Sequence, residues 1–444
     1  MFSWARSYPA LNDAQTATGL REFFKDGLAF QIFYTLTTAP LFVAFARLIQ
    51  PSDFFLGLLV AVPPACQLLQ PLAVFLVNRL RNRKLIVVFG SLAGRLPWLF
   101  IPLIPLLPSV PLQMGVLLLS QVWCYAFYNV AGCAMNTWAR DFVPEEMIGT
   151  YFGRRFAWST TAGAFTLVGA LFLLPKETAA PAAQFSIFGG CFVVAALLGL
   201  LSCRFLARIP EPHYSPAPAP SFLHQLSGPL RSAQFRRVLG FTVVWQMAFG
   251  MSWQFYTKHM LDNLQLPLSL VTVVTVLSML LNAFFYPLWG NIADRIGNVS
   301  VLALTIPLHL AGLLLWQTGA IWQTPAFNLG LAGLVFLLGG IAFAGNQLCV
   351  FSLVLKAAPK GSAAPFFACN AFLMGIVAAI SPVLGGLIAD RADAKGIFAN
   401  DTPHLFLGLP GLNQTFLAAF LLGLVAIFLL LRLPRNSQSE KCIV

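Results

Sequence analysis

The stretch Gly290-Asn-Ile-Ala-Asp294-Arg295-Ile-Gly297-Asn298 is a short polar turn between two long apolar runs, residues 268–292 and 299–322. A bilayer core about 30 Å thick needs roughly 20 apolar residues in an α-helix, because each residue adds about 1.5 Å. Both runs are long enough to cross such a core. The stretch therefore predicts a polytopic α-helical membrane protein in which a charged turn joins two spans.

The composition extends this prediction to the whole chain. Hydrophobic residues make up 58% of the 444 residues, charged residues 9%, and the mean hydropathy is +0.78, whereas a soluble domain is roughly half apolar and a quarter charged. The formal charge of +12 would suit nucleic acid. The cations lie in short loops between apolar runs, however, so we expect the lipid bilayer, and no nucleic acid, as a partner. The eight cysteines form no CxxC pair, so we expect neither a metal site nor a disulfide framework.

Twelve apolar runs follow one another in two sets of six. They occupy residues 24–48, 53–77, 85–107, 110–138, 151–174 and 183–207, and then 236–260, 268–292, 299–322, 326–356, 362–389 and 405–432. The longest break opens with Pro210, Pro212, Pro216, Pro218 and Pro220, and residues 221–237 read as an amphipathic segment at the membrane surface. We predict an N-terminal cytoplasmic segment (1–23) without a cleavable signal, a six-helix bundle (24–208), a linker (209–235), a second six-helix bundle (236–433) and a tail (434–444).

Lysine and arginine are distributed unevenly between the loops. With the N-terminus inside, the inner loops and tails hold 21 of the 27, the outer loops hold 5, and Arg95 lies within a span. Such a bias over short loops predicts both termini in the cytoplasm. Short loops without a large outer domain favour a bacterial inner membrane.

The two halves of the chain share a motif between their fourth and fifth spans. Pro144 precedes the aromatic pair Tyr151-Phe152 by the same spacing that separates Pro359 from Phe366-Phe367. In this register Arg155 corresponds to Asn370. Six plus six spans with corresponding loops are typical of one class of secondary transporters.

The turn at residues 290–298 resembles the major facilitator superfamily pattern G-x-L-A-D-R-x-G-R. The resemblance implies a glycine for close helix approach and a helix-end carboxylate that pairs with a basic residue at an inner gate. The corresponding loop of the first half has Asn78 in place of the acid, and Asp141 is our candidate for the missing carboxylate. The implied gating residues are Arg79, Arg83, Asp141, Arg155, Gly290, Asp294, Arg295 and Gly297. The alternative is that these charges only orient the helices.

The major facilitator fold, with its two pseudo-symmetric six-helix bundles, also implies a central cavity lined by spans 1, 4, 7 and 10. The polar and aromatic candidates on these spans are Gln31, Tyr34, Thr35, Thr38, Gln121, Tyr125, Asn129, Gln246, Trp253, Gln254, Asn346 and Gln347. The first four share one helical face, and a polar face towards lipid is costly. Either substrate contact or bonding and packing between helices would explain them.

Arg95 and His309 are two further cavity candidates. Arg95 lies 11 positions beyond Lys84, roughly 16 Å along the helix axis, and a charge at that depth is a candidate for function. The alternative to a functional role for Arg95 is that its guanidinium bonds to backbone carbonyls. The alternative for His309 is that it packs in the protein core. None of the 15 acidic residues lies at mid-membrane, and Asp26 is near a span end. A coupled proton would therefore have to use Asp26, His309 or another carboxylate at a span end. Otherwise the carrier would be a facilitator or exchanger.

These observations predict a secondary transporter that moves a small organic solute by alternating access, with a preference for an anionic or amphipathic substrate. No GxxxxGK[ST] motif is present, so we do not expect ATP hydrolysis, and we expect neither an enzyme nor a cofactor. A coupling ion such as a proton is an optional partner. The alternative is a transporter-like assembly factor or receptor without flux.

Overall fold

In a computed structural model of the chain, the described residues are 7–9, 11–38, 41–49, 53–173, 181–214, 227–253, 255–319, 324–359, 363–392 and 411–434. These residues are almost entirely helical. One parallel pair of two-residue strands, β1 (Ser7–Tyr8) and β2 (Glu211–Pro212), joins the N-terminal segment to the linker. The predicted all-α class is confirmed. Some residues named above lie outside the described ranges: Gln254, Pro216, Pro218, Pro220 and residues 221–226 of the predicted amphipathic segment.

The first half of the chain forms six helical segments, two of which are interrupted. Its helices are α1 (Asp13–Thr37), α2 (Leu41–Arg47), α3 (Asp53–Cys66), α4 (Gln70–Leu80), α5 (Arg83–Arg95), α6 (Val110–Phe142), α7 (Ile148–Leu173) and α8 (Pro181–Leu206). Helices α1 and α2 occupy the place of the first predicted span, and α3 and α4 that of the second. After α5, the chain continues in 3₁₀ turns over Leu96–Leu99 and Ile101–Leu106, where prolines remove backbone donors.

The second half forms six further segments. Its helices are α9 (Ala233–Trp253), α10 (Leu268–Ile296), α11 (Asn298–Thr318), α12 (Pro325–Ala357), α13 (Ala364–Ala392) and α14 (Gly411–Leu431). A helical turn (Tyr256–Lys258) and a π-helical turn (His259–Asn263) follow α9. The two sets of six predicted from the sequence are therefore present.

Eight helices within the described ranges are long and apolar enough to span a membrane. They are Arg83–Leu106, Val110–Phe142, Ala183–Leu206, Val273–Ile296, Asn298–Thr318, Pro325–Ala357, Ala364–Ala389 and Gly411–Leu431. Large apolar side chains are exposed on these helices and on α7; Phe172, Leu106 and Phe165 are 86%, 80% and 70% exposed. So much exposed apolar area is expected where lipid replaces water as the solvent.

Local signals explain several helix ends. Asn12 and Gln15 form a capping box at the start of α1, each side chain bonding the other's backbone amide. The Asn82 side chain accepts the Leu85 amide at 3.0 Å and starts α5. Between α10 and α11, Gly297 has φ 89°, which favours glycine.

The chain divides into two compact units. Unit 1 comprises Met1–Glu145, Trp158–Pro229 and Ala358–Phe372, and unit 2 comprises Glu146–Ala157, Leu230–Ala357 and Leu373–Val444. The start of α7 thus belongs to unit 2, and the start of α13 to unit 1. The core of unit 1 is rich in edge-to-face aromatic pairs, such as Trp98 with Phe192 at 5.1 Å between ring centroids.

Candidate functional site

Arg95 is the last residue of α5 and lies inside unit 1. The residue is only 6% exposed. Its Nη1 donates to the Gly199 carbonyl at 2.8 Å and contacts Cys203 Sγ at 2.9 Å, both on α8. The guanidinium also lies 5.6 Å from the ring centre of Phe30 and 5.7 Å from that of Phe33. Backbone bonding and cation–π contacts together hold the charge in an apolar setting.

Gly199 makes this arrangement possible because it lacks a side chain. A Cβ at this position would lie 3.0 Å from Arg95 Cδ and 3.1 Å from a Phe33 ring carbon. On the other side of α5, a Cβ on Gly94 would lie 3.2 Å from the Cys124 carbonyl of α6. Small residues therefore let α5 approach α6 and α8 closely enough to enclose the guanidinium.

The Arg95 side chain lines a cleft in unit 1, here called the Arg95 cleft. The cleft encloses about 440 Å³ of unfilled space, its open mouth included. Its other lining residues come from α1, α5, the turn after α5 and α6: Phe30, Phe33, Tyr34, Thr37, Gly90, Ser91, Gly94, Trp98, Cys124, Tyr125 and Tyr128. Tyr34 and Tyr128 are 38% and 42% exposed. One buried cation among aromatic rings and hydroxyls suits a molecule with an acidic group and an apolar body.

Two of the sequence candidates besides Arg95 line this cleft, namely Tyr34 and Tyr125. Tyr128, on the same face of the fourth span as Tyr125, also lines it, and Phe30 and Phe33 complete it although they were not among the sequence candidates. Phe30 stacks on Tyr128 with ring centroids 5.5 Å apart and planes 8° apart. Phe30 and Phe33 could have been identified from the sequence, because they lie four residues and one residue before the candidate Tyr34 on the same helix.

Among the other candidates of the first half, the hydrogen bonds of Gln31, Thr38 and Asn129 stay within their own helices. The Gln31 amide donates to the Thr35 hydroxyl at 3.4 Å, and both side chains lie against Gly163 of α7. The Thr38 hydroxyl donates to the Tyr34 carbonyl at 2.8 Å. The Asn129 amide donates to the Tyr125 carbonyl at 2.8 Å, and Gln121 is buried.

Asp26 is a buried carboxylate close to the Arg95 cleft. It is 5% exposed and accepts a hydrogen bond from the Ser202 hydroxyl. Ser202 is next to Cys203, which Arg95 contacts. Helix α1 begins at Asp13, before the apolar run that starts at residue 24, so Asp26 lies midway along α1. Its partner Ser202 lies in the last turns of α8.

Unit 2 contains a cluster of aromatic side chains around His309. Phe249 stacks on Trp253, and Trp253 stacks on Phe343, with centroids 5.5 and 5.6 Å apart. His309 is 3% exposed and meets the Trp245 and Phe249 rings at 5.5 Å. The aromatic side chains of the seventh span, which include the candidate Trp253, therefore form one cluster with His309 of the ninth.

The remaining described candidates of unit 2 differ in their surroundings. Asn346 is buried and its Oδ1 accepts the Thr305 hydroxyl at 2.7 Å. Gln347, the next residue on α12, is exposed, and Gln246 is half-buried.

Asp294 binds the beginning of α7. Its Oδ1 accepts the Gly149 amide at 2.8 Å, and its Oδ2 accepts the Thr150 amide at 2.5 Å and the Thr150 hydroxyl at 2.6 Å. This differs from the expected pairing with a basic residue, because the free amides and positive dipole end of a helix are themselves a binding site for a carboxylate.

Glycines bring α7 and α10 into backbone contact at this point. A Cβ on Gly290 would lie 2.3 Å from the Gly149 carbonyl oxygen, and one on Gly153 would lie 2.6 Å from the Tyr286 carbonyl oxygen. Of the other predicted gating residues, Arg295 is exposed and Arg155 is half-buried.

Arg83 is the centre of a buried ion cluster in unit 1, here called the Arg83 cluster. Its side chain is fully buried and pairs with Asp141 and, through Nε at 3.0 Å, with Glu211 Oε1. Nη1 and Nη2 also donate to the carbonyls of Thr137 at 3.3 Å and Pro212 at 3.2 Å. The predicted partnership of Asp141 with the basic loop has a contact to support it, and Glu211, in the linker, is a second carboxylate that sequence reasoning missed.

Burial changes the titration of the linker residues around Arg83. Burial raises the pKa of the Glu211 carboxyl, and the charge of Arg83 opposes that shift. Burial likewise raises the pKa of Tyr214 to about 12. The Tyr214 ring lies 4.7 Å from the Arg83 guanidinium, and its hydroxyl donates to Asn78 at 3.3 Å. Asn78 thus bonds the linker instead of taking the part that Asp294 plays in unit 2.

Two other arginines differ from Arg83 in their surroundings. Arg79, a predicted gating residue, is exposed and lies over the Phe75 ring at 5.9 Å. Arg140 is 4% exposed, donates from Nε to the Ala358 carbonyl at 3.0 Å and pairs with Glu145 at 3.6 Å. Ala358 follows the last residue of α12, where carbonyls lack intrahelical partners and a cation is favourable.

Comparisons with known proteins agree with this architecture. The structure resembles the E. coli fucose:proton symporter FucP (N162A), with a TM-score of 0.66, 14% identity and coverage of 93% of this chain and 98% of that one. It also resembles the human organic anion transporter MFSD10 (TM-score 0.64, 17% identity, 94% and 99% coverage) and the proton:xylose symporter XylE (0.67, 12%, 96% and 97%). No curated protein sequence matches the chain.

A comparison of the sequence with protein-family models identifies the family without using the structure. The model of the Major Facilitator Superfamily matches residues 27–382, which include the turn at Gly290–Asn298 and both repeated loops. The twelve helical segments and the similar solved folds agree with that match. This multi-pass membrane protein therefore belongs to the major facilitator superfamily.

Proposed function

We propose that the chain is a secondary transporter, not an enzyme, that moves a small organic solute across a membrane by alternating access and without ATP hydrolysis. Membership of a transporter superfamily supports the class. The distribution of lysine and arginine supports both termini in the cytoplasm, and we place the protein in a bacterial inner membrane.

The Arg95 cleft carries the proposal for the substrate. Arg95 is only 6% exposed and lines a cleft, and a charge is costly to keep in a membrane unless it serves a partner. A guanidinium has five N–H donors, and both of its bonds to α8 come from Nη1. The rings of Phe30, Tyr34 and Tyr128 offer apolar faces beside it. We therefore propose an anionic substrate with an apolar or aromatic body.

The gate is proposed at the helix ends described above. The Asp294 carboxylate at the start of α7 and the Arg83 cluster each join helix ends that are far apart in sequence. Such contacts can exist in one conformation and be absent in another, which alternating access requires. The exposed Arg79 and Arg295 and the half-buried Arg155 belong to this proposal as charges near the same helix ends.

Asp26 is the proposed proton carrier, if transport is coupled to protons. Its carboxylate is buried, bonded to the Ser202 hydroxyl and one residue along α8 from the Cys203 contact of Arg95. A proton on Asp26 would change the field at Arg95 and hence its affinity for an anion. We expect Asp26→Asn to abolish the stimulation of uptake by an imposed pH gradient. Unchanged stimulation would remove Asp26 from the mechanism.

The test begins with a thermal-shift screen of the purified protein against organic anions of varied apolar size. A ligand at 100 times its dissociation constant stabilises the folded protein by about 2.7 kcal/mol, which is readily detected. The same ligands are then offered to proteoliposomes that contain wild type, Arg95→Ala or Arg204→Ala. Arg204 is an exposed arginine on α8 and controls for the loss of one positive charge.

We expect saturable uptake by wild type and Arg204→Ala and loss of both stabilisation and uptake in Arg95→Ala. A ligand that stabilises the Arg95→Ala protein equally would refute the assignment of the Arg95 cleft but not of transport. Specific binding with no flux in any direction or gradient would refute transport and favour a receptor or assembly factor.

A further inference from the structure

A second and larger cleft lies in unit 2, on the membrane side where α9 and α11 begin and α10, α12 and α14 end. It encloses about 1070 Å³, its open mouth included. Residues 296–300 form one wall, and Gln234, Arg237, Lys356 and Leu433 contribute to the others. The bias of lysine and arginine places this side in the cytoplasm, so we call it the inner-surface cleft.

The wall at residues 296–300 is the beginning of a long helix without a side-chain cap. The N-cap of α11 is Gly297, which has no side chain to cap the first amides, and its carbonyl accepts the Val301 amide at 3.4 Å. The amides of residues 298–300 therefore lack intrahelical acceptors, and all three residues line the cleft. Such amides, together with the positive end of a 21-residue helix, attract an anion.

The side chain of Asn298 gives an independent indication of a missing ligand. Asn298 is 4% exposed and lines the cleft, yet no described residue hydrogen-bonds its Oδ1. Buried amide groups are nearly always paired. A ligand with both acceptor and hydroxyl oxygens, such as a protonated phosphate or a glycerol headgroup, would satisfy this amide.

The charge of the cleft has one sign. Arg237 and Lys356 face it from α9 and α12, and none of its described lining residues is acidic. Arg236, the neighbour of Arg237, is engaged elsewhere, since its Nη1 donates to the carbonyls of Leu230 at 2.7 Å and Arg231 at 3.2 Å.

We propose that the inner-surface cleft binds a phosphate group, held by the first amides of α11, Asn298, Arg237 and Lys356. Ile296, at the rim, is 52% exposed and would face the acyl region beside such a headgroup. An anionic phospholipid of the inner leaflet and a free phosphate compound share the recognised chemistry. The site is separate from the Arg95 cleft and does not depend on what the protein transports.

The test compares the full chain with two double variants that lose the same charge. Arg237→Gln/Lys356→Gln removes the cations of the cleft, whereas Arg231→Gln/Arg236→Gln removes two exposed arginines nearby. Each protein is released from micelles containing equal phosphatidylglycerol and phosphatidylcholine, and bound lipid is counted by native mass spectrometry. In a second arm, inorganic phosphate is added to lipid-free protein and thermal stability is measured.

We expect wild type and the Arg231/Arg236 variant to retain phosphatidylglycerol over phosphatidylcholine, and the Arg237/Lys356 variant to lose roughly tenfold in that preference. Stabilisation by inorganic phosphate, lost in the same variant and without lipid retention, would support the site but name a soluble phosphate as its ligand. Equal lipid retention and equal phosphate response in all three proteins would overturn the proposal.

Discussion

The bond between Asp294 and the beginning of α7 can be tested by Asp294→Asn, which keeps the size of the side chain and removes its charge. The carboxylate accepts the amides of Gly149 and Thr150 through different oxygens. An asparagine has one carbonyl oxygen, so its NH₂ group would face one of these amides. A buried amide without an acceptor costs about 1–3 kcal/mol, and the lost charge at the helix end costs about 0.3–1 kcal/mol.

We therefore expect Asp294→Asn to destabilise unit 2 by about 1–3 kcal/mol, since the site is only partly buried. If this contact is absent from the transition state for unfolding, the half-life of the purified protein at a fixed high temperature falls roughly 5-fold to 100-fold. Tryptophan fluorescence follows the loss of structure.

Asn291→Ala is the matched control. Asn291 is exposed, and its side-chain amide contacts the Thr150 hydroxyl at 3.1 Å. If the half-life of Asp294→Asn equals that of Asn291→Ala, the carboxylate does not stabilise α7 and the reasoning from the helix end is refuted.

Three further substitutions test the remaining contacts. Gly199→Ala should displace the Arg95 side chain, because the new Cβ would lie 3.0 Å from Arg95 Cδ. This variant should therefore show weaker stabilisation by ligand in the thermal-shift assay. Gly190→Ala, on the same helix but with open space around the new Cβ, should bind ligand as the wild type does. Arg83→Gln should lower thermal stability by about 3–5 kcal/mol, because two carboxylates lose their buried cation; a loss no larger than that of an exposed arginine would contradict the Arg83 cluster. Burial raises the pKa of Glu211 above its ordinary 4.5, so the folded chain holds that proton more tightly than the unfolded one, and stability should fall as pH rises from 4.5 through the folded pKa. Glu211→Gln should flatten this part of the pH profile of thermal stability, and an unchanged slope would count against it.

Hydropathy predicted the order of the helical segments because the bilayer imposes a minimum length on each span. It did not predict the beginning of the first helix. The apolar run begins near residue 24, but the capping box of Asn12 and Gln15 starts α1 at Asp13, in a polar stretch that hydropathy ignores. Asp26 consequently lies in the middle of α1, although it is close to the beginning of the apolar run.

Sequence reasoning identified several charged residues but not their partners. Asp294 was expected to meet a basic side chain, and it binds backbone amides of a helix more than 140 residues away in the chain. Glu211 lies in a proline-rich linker, where nothing in the local sequence indicates that its carboxylate reaches Arg83. Contacts of this kind depend on how helices are brought together, which local patterns do not encode.

Arg95 is a case in which two sequence interpretations are both supported. The alternative to a functional role was a guanidinium bonded to backbone carbonyls, and the bond to Gly199 has that form. The same side chain lines a cleft of aromatic rings. Burial and depth could be predicted from the position of Arg95 along its span, whereas the cleft depends on Gly94 and Gly199, whose neighbours only the fold reveals.

The short parallel pair of β1 and β2 constrains the order in which the first half of the chain is completed during synthesis. Ser7 pairs with Glu211, which leaves the ribosome about 10 to 40 seconds later at a rate of roughly 5–20 residues per second. In that interval all the helices from α1 to α8 are made, while the backbone of Ser7 and Tyr8 has no strand partner. The strand pair and the contact of Glu211 with Arg83 thus form together and late. A nascent chain arrested before residue 211 would hold the Arg83 guanidinium with a single carboxylate.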